Sequence, residues 1–270
     1  MLPFPEIDPI IFSVGPLHVR WYGLMYVIGF VATYTLVQKQ IKEFAFKPLA
    51  THFENLNMVL ILSVILGGRL GYVFFYNFSY YLRHPLEIMA TWNGGMSFHG
   101  ACIAVLLGGW FYCKKYNIDF WKTADIYVAT IPIGLCLGRI GNFINGELYG
   151  RVTESPLGMI FPGGGPLPRH PSQLYEAFLE GCVLFILLWS LRKRPWSDKT
   201  FWPHGSICAL FFIFYGIFRI IVENFRQPDQ QIGFIYNTLT MGQLLSITMV
   251  IAGCIMWFLC YKKNHMSKNV

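Results

Sequence analysis

Seven long apolar runs constrain this chain more than any other feature of its sequence. A helix needs about 20 mostly apolar residues to cross the hydrocarbon core of a bilayer, and each run has roughly that length. The runs show neither the alternation of barrel strands nor the polar face of a helix in a soluble protein. We therefore predict an all-α membrane protein of about seven transmembrane helices, at residues 19–38, 56–76, 96–113, 124–142, 174–191, 205–224 and 241–261.

The composition agrees with a membrane protein. Charged residues make up 13% of the chain, whereas a soluble domain contains about 25%. Because the sequence has no insert large enough for a separate soluble domain, we expect a single polytopic membrane domain over residues 1–270. The longest outer segment, 143–173, contains the stretch P-G-G-G-P-L-P, which is unsuited to a helix. We expect this segment to form an irregular outer cap or a mobile lid.

The basic residues predict the orientation, because lysine and arginine accumulate in cytoplasmic loops. Thirteen of the 21 basic residues follow predicted helices one, three, five and seven. The N-terminus is therefore expected outside and the C-terminus inside. The net charge of +7 then reflects topology and contact with anionic membrane lipid, and does not indicate nucleic-acid binding.

Lysine and arginine are distributed differently between the two sides. All eleven lysines lie on the predicted cytoplasmic side, and the eight remaining basic residues are all arginine. Arginine binds phosphate through two parallel hydrogen bonds and stays charged where lysine can lose its proton. The alternative is that the pattern arose by chance, with arginines at helix ends extending their side chains toward the membrane interface.

Polar residues cluster where predicted helix four ends, in G-R-I-G-N-F-I-N-G-E-L-Y-G at residues 138–150. The segment holds Arg139, Asn142, Asn145, Glu147 and four glycines. A charge at the bilayer centre costs about 2.5–3.5 kcal/mol even on insertion scales, so such a group indicates a functional site. A helix-packing motif with one arginine at the interface is the alternative, but packing does not require two amides and a carboxylate.

Predicted helix six carries Tyr215, Arg219 and Glu223 at intervals of four residues, which places them on one face. Glu223 is expected to hold Arg219 through an i,i+4 ion pair. A pair that satisfies itself without a ligand is the alternative. Arg69 in predicted helix two is the third intramembrane arginine. We expect the carboxylates of the interior to balance Arg69, Arg139 and Arg219 poorly, so that an anionic ligand completes the site.

His99, in G-G-M-S-F-H-G, is a candidate proton acceptor at the start of predicted helix three. Imidazole takes up a proton near neutral pH, although a histidine at this position is also a common interface residue. Cys102, one turn along, would allow a Cys–His nucleophile pair, but a small apolar core residue is the simpler interpretation. His170, in segment 143–173, is a further candidate for a contact with substrate.

The segment 138–150 closely resembles the signature of the prolipoprotein diacylglyceryl transferases of the bacterial inner membrane. This chain has Tyr149 where other members often have tryptophan. The resemblance covers nearly the whole chain, because five other blocks resemble those of the family in the same order: W-Y-G, G-G-R-L-G-Y, G-G-M-S-F-H-G, R-H-P-S-Q-L-Y-E and Y-G-I-F-R-I-I-V-E-N-F-R-Q-P-D.

The resemblance implies a multi-pass enzyme of the bacterial inner membrane, with its site toward the outer leaflet. It would transfer an sn-1,2-diacylglyceryl group from phosphatidylglycerol to the thiol of the lipobox cysteine in a prolipoprotein signal peptide. A thioether forms and glycerol phosphate leaves, as the first step of lipoprotein maturation. The positions implied are His99, Arg139, Asn142, Glu147, Gly150, Tyr215, Arg219 and Glu223, with Tyr22 and Arg69 in support.

A mechanism can be written as a hypothesis. The substrate thiol has a pKa of about 8.5 and reacts as a thiolate, so His99 is expected to accept its proton. Arg139 and Arg219 would stabilise the charge that grows on the departing phosphate, while Asn142 and Glu147 bind the glycerol headgroup. We expect no metal and no cofactor, because this chemistry needs none and the sequence shows no cluster of ligands for one. The seven cysteines, an odd number without a C-x-x-C pair, indicate neither a disulfide framework nor a zinc site.

Two other classes of protein remain open from the sequence. A lipid or anion transporter would use the same arginines and release the lipid unchanged. A structural scaffold would leave the clustering of arginines unexplained.

Overall fold

The computed structural model describes residues 2–5, 7–15, 17–75, 77–90, 94–197, 202–227, 234–235 and 239–268. The protein is mostly helical, as predicted. It divides into two compact units, one of Met1–Gln40 with Ala124–Val270 and the other of Ile41–Thr123. The single domain expected from the sequence stays a prediction.

The larger unit begins with an antiparallel hairpin that the sequence analysis did not predict. Strand β1 (Ile10–Val14) pairs with β2 (Leu17–Arg20). Gly15 lies between them with φ of 58°, a left-handed conformation that glycine adopts without a steric penalty. Helix α1 (Trp21–Glu43) follows directly. The hairpin therefore explains why this helix begins after residue 19, where the apolar run starts.

The described residues of the smaller unit include three helices that lie wholly within it. They are α2 (Lys47–Phe75), α3 (Phe78–Arg83) and α4 (Phe98–Lys115), with a short 3-10 segment at Pro85–Met89. The hydroxyl of Ser97 caps α4 by accepting a hydrogen bond from the amide of Gly100 at 3.2 Å. Helices α2 and α4 correspond to predicted helices two and three.

Predicted helix four is divided in the structure. Helix α5 (Phe120–Val128) ends in a turn, and α6 (Ile131–Ile144) begins after it. Pro132 lies in the first turn of α6. Because proline has no amide hydrogen and its ring clashes with the carbonyl four residues earlier, a continuous α-helix is unfavourable here.

Predicted helix five also departs from a regular helix. It consists of α7 (Ser172–Glu176), a π-helical segment at Ala177–Val183 and α8 (Leu184–Leu191), followed by a 3-10 turn at Arg194–Trp196. The remaining elements are α9 (Ser206–Glu223), the strand pair β3 (Phe234–Ile235) and β4 (Leu239–Thr240), and α10 (Met241–Lys268).

Five helical segments of the described chain are long and apolar enough to cross a membrane. Helices α1 and α4, which the sequence predicts as two further crossings, are not among these five. The five are Lys47–Phe74, Phe120–Ile144, Ser172–Trp196, Ser206–Glu223 and Met241–Lys262.

The core of the larger unit fixes where α9 starts. Val128, Leu184, Leu188 and Ile207 belong to one buried apolar cluster. Beside it, the buried carboxylate of Asp125 accepts hydrogen bonds from the amides of Gly205 at 2.7 Å and Cys208 at 3.0 Å. A carboxylate at this position satisfies amides that have no partner within the helix and complements the helix dipole.

The segment between α6 and α7 has defined main-chain contacts in the structure. Gly150 donates from its amide to the carbonyl of His170 at 2.8 Å, and Met159 and Arg169 exchange two hydrogen bonds. The side chains of Phe143, Met159 and Phe161 form a small buried cluster. These contacts describe an irregular ordered segment, whereas its position as an outer cap or lid stays a prediction.

Helices α2 and α4 pack through small residues. A Cβ atom built on Gly100 of α4 would lie 2.8 Å from Cα of Gly71 and would also collide with the carbonyl of Gly67. Glycines four residues apart are typical of membrane helices whose backbones approach closely. Main-chain atoms cannot move aside as a flexible side chain can, so this approach depends on the absence of a side chain.

We therefore expect Gly100→Ala to lower the unfolding temperature of the detergent-solubilised protein. The cost of overpacking is typically about 1–3 kcal/mol. Gly109→Ala is the matched control in the same helix, because its Cβ would meet only Cδ2 of Leu60 at 3.5 Å, an ordinary contact. Equal unfolding temperatures for the two variants would contradict the close approach.

Candidate functional site

The end of α6 brings the polar residues of the signature into one network. The chain reverses after the helix through Gly146, which has φ of 66°, and the amide of Glu147 donates to the carbonyl of Asn142 at 3.1 Å. The Glu147 carboxylate consequently accepts hydrogen bonds from Asn142 Nδ2 at 2.8 Å and Asn145 Nδ2 at 3.3 Å. Arg139 Nη1 lies 3.5 Å from Asn142 Oδ1, at the other end of the network.

Two predicted arginines meet on one glutamate. Arg139 Nε on α6 lies 2.5 Å from Glu176 Oε2, and Arg219 Nη1 on α9 lies 3.1 Å from the same oxygen. Glu176 is fully buried, at 0% exposure, in the last turn of α7. Arg139 and Arg219, both expected to stabilise one departing phosphate, therefore lie together in the structure.

Arg219 is the centre of the charged cluster. Its Nη2 lies 3.1 Å from Glu223 Oε2, which confirms the predicted i,i+4 pair. Its Nη1 also lies 3.6 Å from Glu180 Oε1 on the π-helical segment. Arg226, just beyond α9, lies 3.6 Å from Glu176 Oε1. Three different helical elements thus hold one guanidinium in place.

The expected shortage of carboxylates is wrong for this cluster. Among the described residues, Glu176, Glu180 and Glu223 face Arg139, Arg219 and Arg226, so acidic and basic groups are equal in number. Of these three glutamates, the sequence predictions name only Glu223. A stronger signal was available, because Glu176 and Glu180 stand four residues apart inside an apolar span, where a carboxylate is costly.

Other predicted residues border this network. Gly141 has Tyr22 of α1 against it, since a Cβ atom there would lie 2.9 Å from the Tyr22 ring, and the Tyr22 hydroxyl lies 2.9 Å from that of Tyr26. Tyr215 precedes Arg219 by one turn and stacks on Phe211 with ring centres 5.6 Å apart. Tyr22 thus lies against the signature helix and Tyr215 lies one turn before Arg219. The substrate-binding roles expected of both residues stay predictions.

Gly150 is important for packing the segment between α6 and α7. A Cβ atom on this residue would lie 2.8 Å from Cβ of His170 and would also collide with the carbonyl of Phe225. Glycine at this position therefore lets the segment that follows the signature approach the residues just after α9, which include Arg226. The structure gives Gly150 a steric role, and a direct contact with a ligand stays a prediction.

His170 makes contacts within the protein. Its Nδ1 lies 3.2 Å from the Tyr175 hydroxyl, and its ring packs edge-on against Phe225. Burial lowers the pKa of His170 from its ordinary value, because removal from water disfavours the charged ring. The lowered pKa favours the neutral imidazole, which suits this packing.

Arg69 belongs to the smaller unit and has main-chain partners. Its guanidinium is buried and donates to the carbonyls of Ile88 at 2.8 Å, Gly94 at 2.6 Å and Glu87 at 2.6 Å. It also lies over the Tyr81 ring at 5.2 Å. Arg69 thus holds the segment between α3 and α4. This role depends on tertiary contacts, which the sequence alone does not reveal.

His99 also belongs to the smaller unit. It lies in the first turn of α4, and its side chain is outside the described residues. Its role as proton acceptor stays a prediction. In the described part of the chain no three His, Cys, Asp or Glu side chains are grouped so that they could hold a metal ion.

Comparison with known proteins gives a consistent result. The sequence model described as prolipoprotein diacylglyceryl transferase matches residues 9–259. A relative from Desulfotalea psychrophila is 69% identical over 94% of this chain and 93% of its own length. Relatives from Geobacter sulfurreducens (49% identical, 97% and 99%) and Legionella pneumophila strain Paris (47%, 96% and 99%) match over similar lengths.

All three relatives bear the name phosphatidylglycerol–prolipoprotein diacylglyceryl transferase. The matched residues include the signature at the end of α6 and the arginine-bearing face of α9. The chain belongs to the prolipoprotein diacylglyceryl transferase family.

Proposed function

We propose that this chain transfers the sn-1,2-diacylglyceryl group of phosphatidylglycerol to the lipobox cysteine of a prolipoprotein. The thiolate sulfur bonds to the glyceryl carbon that bears the phosphate. The carbon–oxygen bond breaks, its electron pair stays on the phosphate oxygen, and glycerol phosphate leaves. The main support from the structure is the meeting of Arg139 and Arg219, from separate helices, on Glu176.

The arginines suit the charge change of this reaction. A phosphodiester carries one negative charge, and cleavage adds a second on the leaving oxygen. Charged donors that are already in position stabilise such a developing charge, by about 3–4 kcal/mol for each donor in comparable sites. The buried glutamates provide that positioning, because they hold the guanidiniums before substrate arrives.

Arg139 keeps donors for a ligand. A guanidinium has five N–H donors, and the described contacts of Arg139 use Nε and Nη1. Arg139 is also partly exposed, at 21% of its side chain, while Glu176 behind it is fully buried. We infer that Arg139 binds the phosphate from its exposed side while Glu176 holds it from the buried side.

The exposed Glu147 and the buried Asn142 beside it are suited to the glycerol headgroup. Their hydrogen bond fixes the carboxylate close to Arg139. A carboxylate accepts hydrogen bonds from hydroxyl groups, and an amide both donates and accepts. We assign His99 as the acceptor of the thiol proton, on the sequence argument alone.

For the membrane topology we propose seven crossings, with α1 and α4 added to the five apolar segments. The N-terminus lies outside and the C-terminus inside. Lys42 in the last turn of α1, and Lys114 and Lys115 at the end of α4, support this orientation. Arg139 and Arg219 both lie near the ends of their helices that face outward, so the site opens toward the outer leaflet of the inner membrane.

The transfer reaction is tested with the purified protein, phosphatidylglycerol and a lipobox peptide. Mass spectrometry should detect a peptide with a diacylglyceryl adduct, together with free glycerol phosphate. Movement of unmodified lipid between vesicle leaflets, without an adduct, would instead favour a transporter.

Arg139→Ala should reduce the transfer rate by at least about 100-fold, as loss of a charge-stabilising donor does in other enzymes. Arg83→Ala is a control, because Arg83 is an exposed residue at the end of α3. Both variants should insert into the membrane in equal amounts. Wild-type rates in Arg139→Ala would remove the phosphate role of this residue.

Glu176→Gln should reduce transfer because Arg139 and Arg219 lose their shared negative partner. Breaking a buried ion pair costs about 3–5 kcal/mol, so the unfolding temperature is measured with the rate and is expected to fall. Glu154→Gln, an exposed carboxylate in the segment between α6 and α7, should change neither quantity. The assignment fails if Glu176→Gln transfers at the wild-type rate.

The orientation is tested with reporter fusions in cells. A fluorescent protein fused to the C-terminus should fluoresce, because it folds on the cytoplasmic side. Alkaline phosphatase fused after residue 157, between α6 and α7, should be active, because it requires export. The opposite pattern would reverse the topology.

A further inference from the structure

Thr240 lies directly before α10, where a reciprocal pair of hydrogen bonds fixes its side chain. The Thr240 hydroxyl accepts from the amide of Gln243 at 3.2 Å, and Gln243 Oε1 accepts from the amide of Thr240 at 3.1 Å. This arrangement is a capping box, which satisfies two amides that lack partners in the first turn of a helix.

The same hydroxyl also contacts Glu223. Thr240 Oγ1 lies 3.0 Å from Glu223 Oε1, and the two residues are 2% and 4% exposed. The direction of this bond is determined by chemistry. The Gln243 amide can only donate, so it uses a lone pair of Oγ1. The hydroxyl hydrogen is then available for the carboxylate of Glu223, which can only accept when ionised.

Glu223 transmits this contact to Arg219. Its other oxygen, Oε2, lies 3.1 Å from Arg219 Nη2. The carboxylate is also enclosed by the first turn of α10, since a Cβ atom on Gly242 would lie 2.6 Å from Oε1. Glu223 is therefore held by the Thr240 hydroxyl on one oxygen and by the Arg219 guanidinium on the other.

We propose that Thr240 is a positioning residue for the transfer reaction: its hydroxyl, fixed by the capping box of α10, orients Glu223 and through it Arg219. Thr240 acts on the substrate only through these two residues. The proposal rests on the function proposed above, and it adds α10 to the elements that determine the geometry of the phosphate site.

Three substitutions of Thr240 distinguish its role as the cap of α10 from its hydrogen bond to Glu223. Thr240→Ser keeps the donor and the cap, and should transfer within about twofold of the wild-type rate. Thr240→Val removes both, and kcat/KM for phosphatidylglycerol should fall about tenfold, the effect of one hydrogen bond to a charged group. Thr240→Asp keeps the cap, because Asp is a good N-cap residue, but removes the donor and repels Glu223.

Two control variants measure the effect of helix structure alone. Gln243→Met removes half of the capping box and leaves the contact between Thr240 and Glu223. Thr248→Val removes a hydroxyl from an exposed site on the same helix, where it donates to the carbonyl of Leu244 at 3.0 Å. We expect Gln243→Met to lower the unfolding temperature with little loss of transfer, and Thr248→Val to change neither.

A positioning role predicts that activity and stability separate. Thr240→Val and Gln243→Met both weaken the cap and should both lower the unfolding temperature, but only Thr240→Val should lose transfer and raise the KM for the lipid. If Thr240→Asp is fully active, or if Gln243→Met loses as much activity as Thr240→Val, Thr240 has only a structural role and the proposal is overturned.

A double-mutant cycle tests the route through Glu223. If Thr240 acts through that carboxylate, Thr240→Val should cause no further loss of kcat/KM in a Glu223→Gln background. Additive losses would overturn the route. A wild-type protein that forms no adduct would refute the proposed function and this role with it, whereas wild-type transfer with an unaffected Thr240→Val would refute the positioning role alone.

Discussion

The buried carboxylate of Glu176 is the constraint on which the candidate site depends. Two arginines from helices that are distant in sequence would repel each other at this separation without a shared anion between them. A buried glutamate without them would in turn be costly in an apolar span. The three groups therefore require one another, and α6, α7 and α9 are held in register by charge as well as by apolar packing.

The parts of the structure that depend on local sequence were predicted well. The bounds of α4 and α9 lie within a few residues of the apolar runs, and so does the end of α8, whereas α2 begins at Lys47, well before its run. The pair between Arg219 and Glu223 followed from helical spacing alone. The break before α6 was readable from Pro132, but the long apolar run concealed it.

The parts that depend on tertiary contacts were not predictable from one sequence. From the sequence, Arg69 is an intramembrane arginine with no identified partner. The fold shows that three carbonyls from the segment before α4 accept hydrogen bonds from it. Thr240 carries no charge, so nothing in its sequence context distinguishes a hydroxyl that orients Glu223 from an ordinary helix cap. The short strand pairs also have too few residues for a clear alternating pattern.

The π-helical segment has a consequence for how one helix serves two environments. Glu176, Glu180, Leu184 and Leu188 recur every four residues, and all four are fully buried. In an ordinary α-helix such a repeat drifts by about 40° at each step, because four residues exceed one turn. The wider turns at Ala177–Val183 offset that drift. The two ion-paired glutamates and the two packed leucines therefore lie on one face of the helix. Deleting one residue within these turns would rotate the glutamates and the leucines onto different faces of the helix. The helix would then lose either its ion pairs with the arginines or the packing of its leucines.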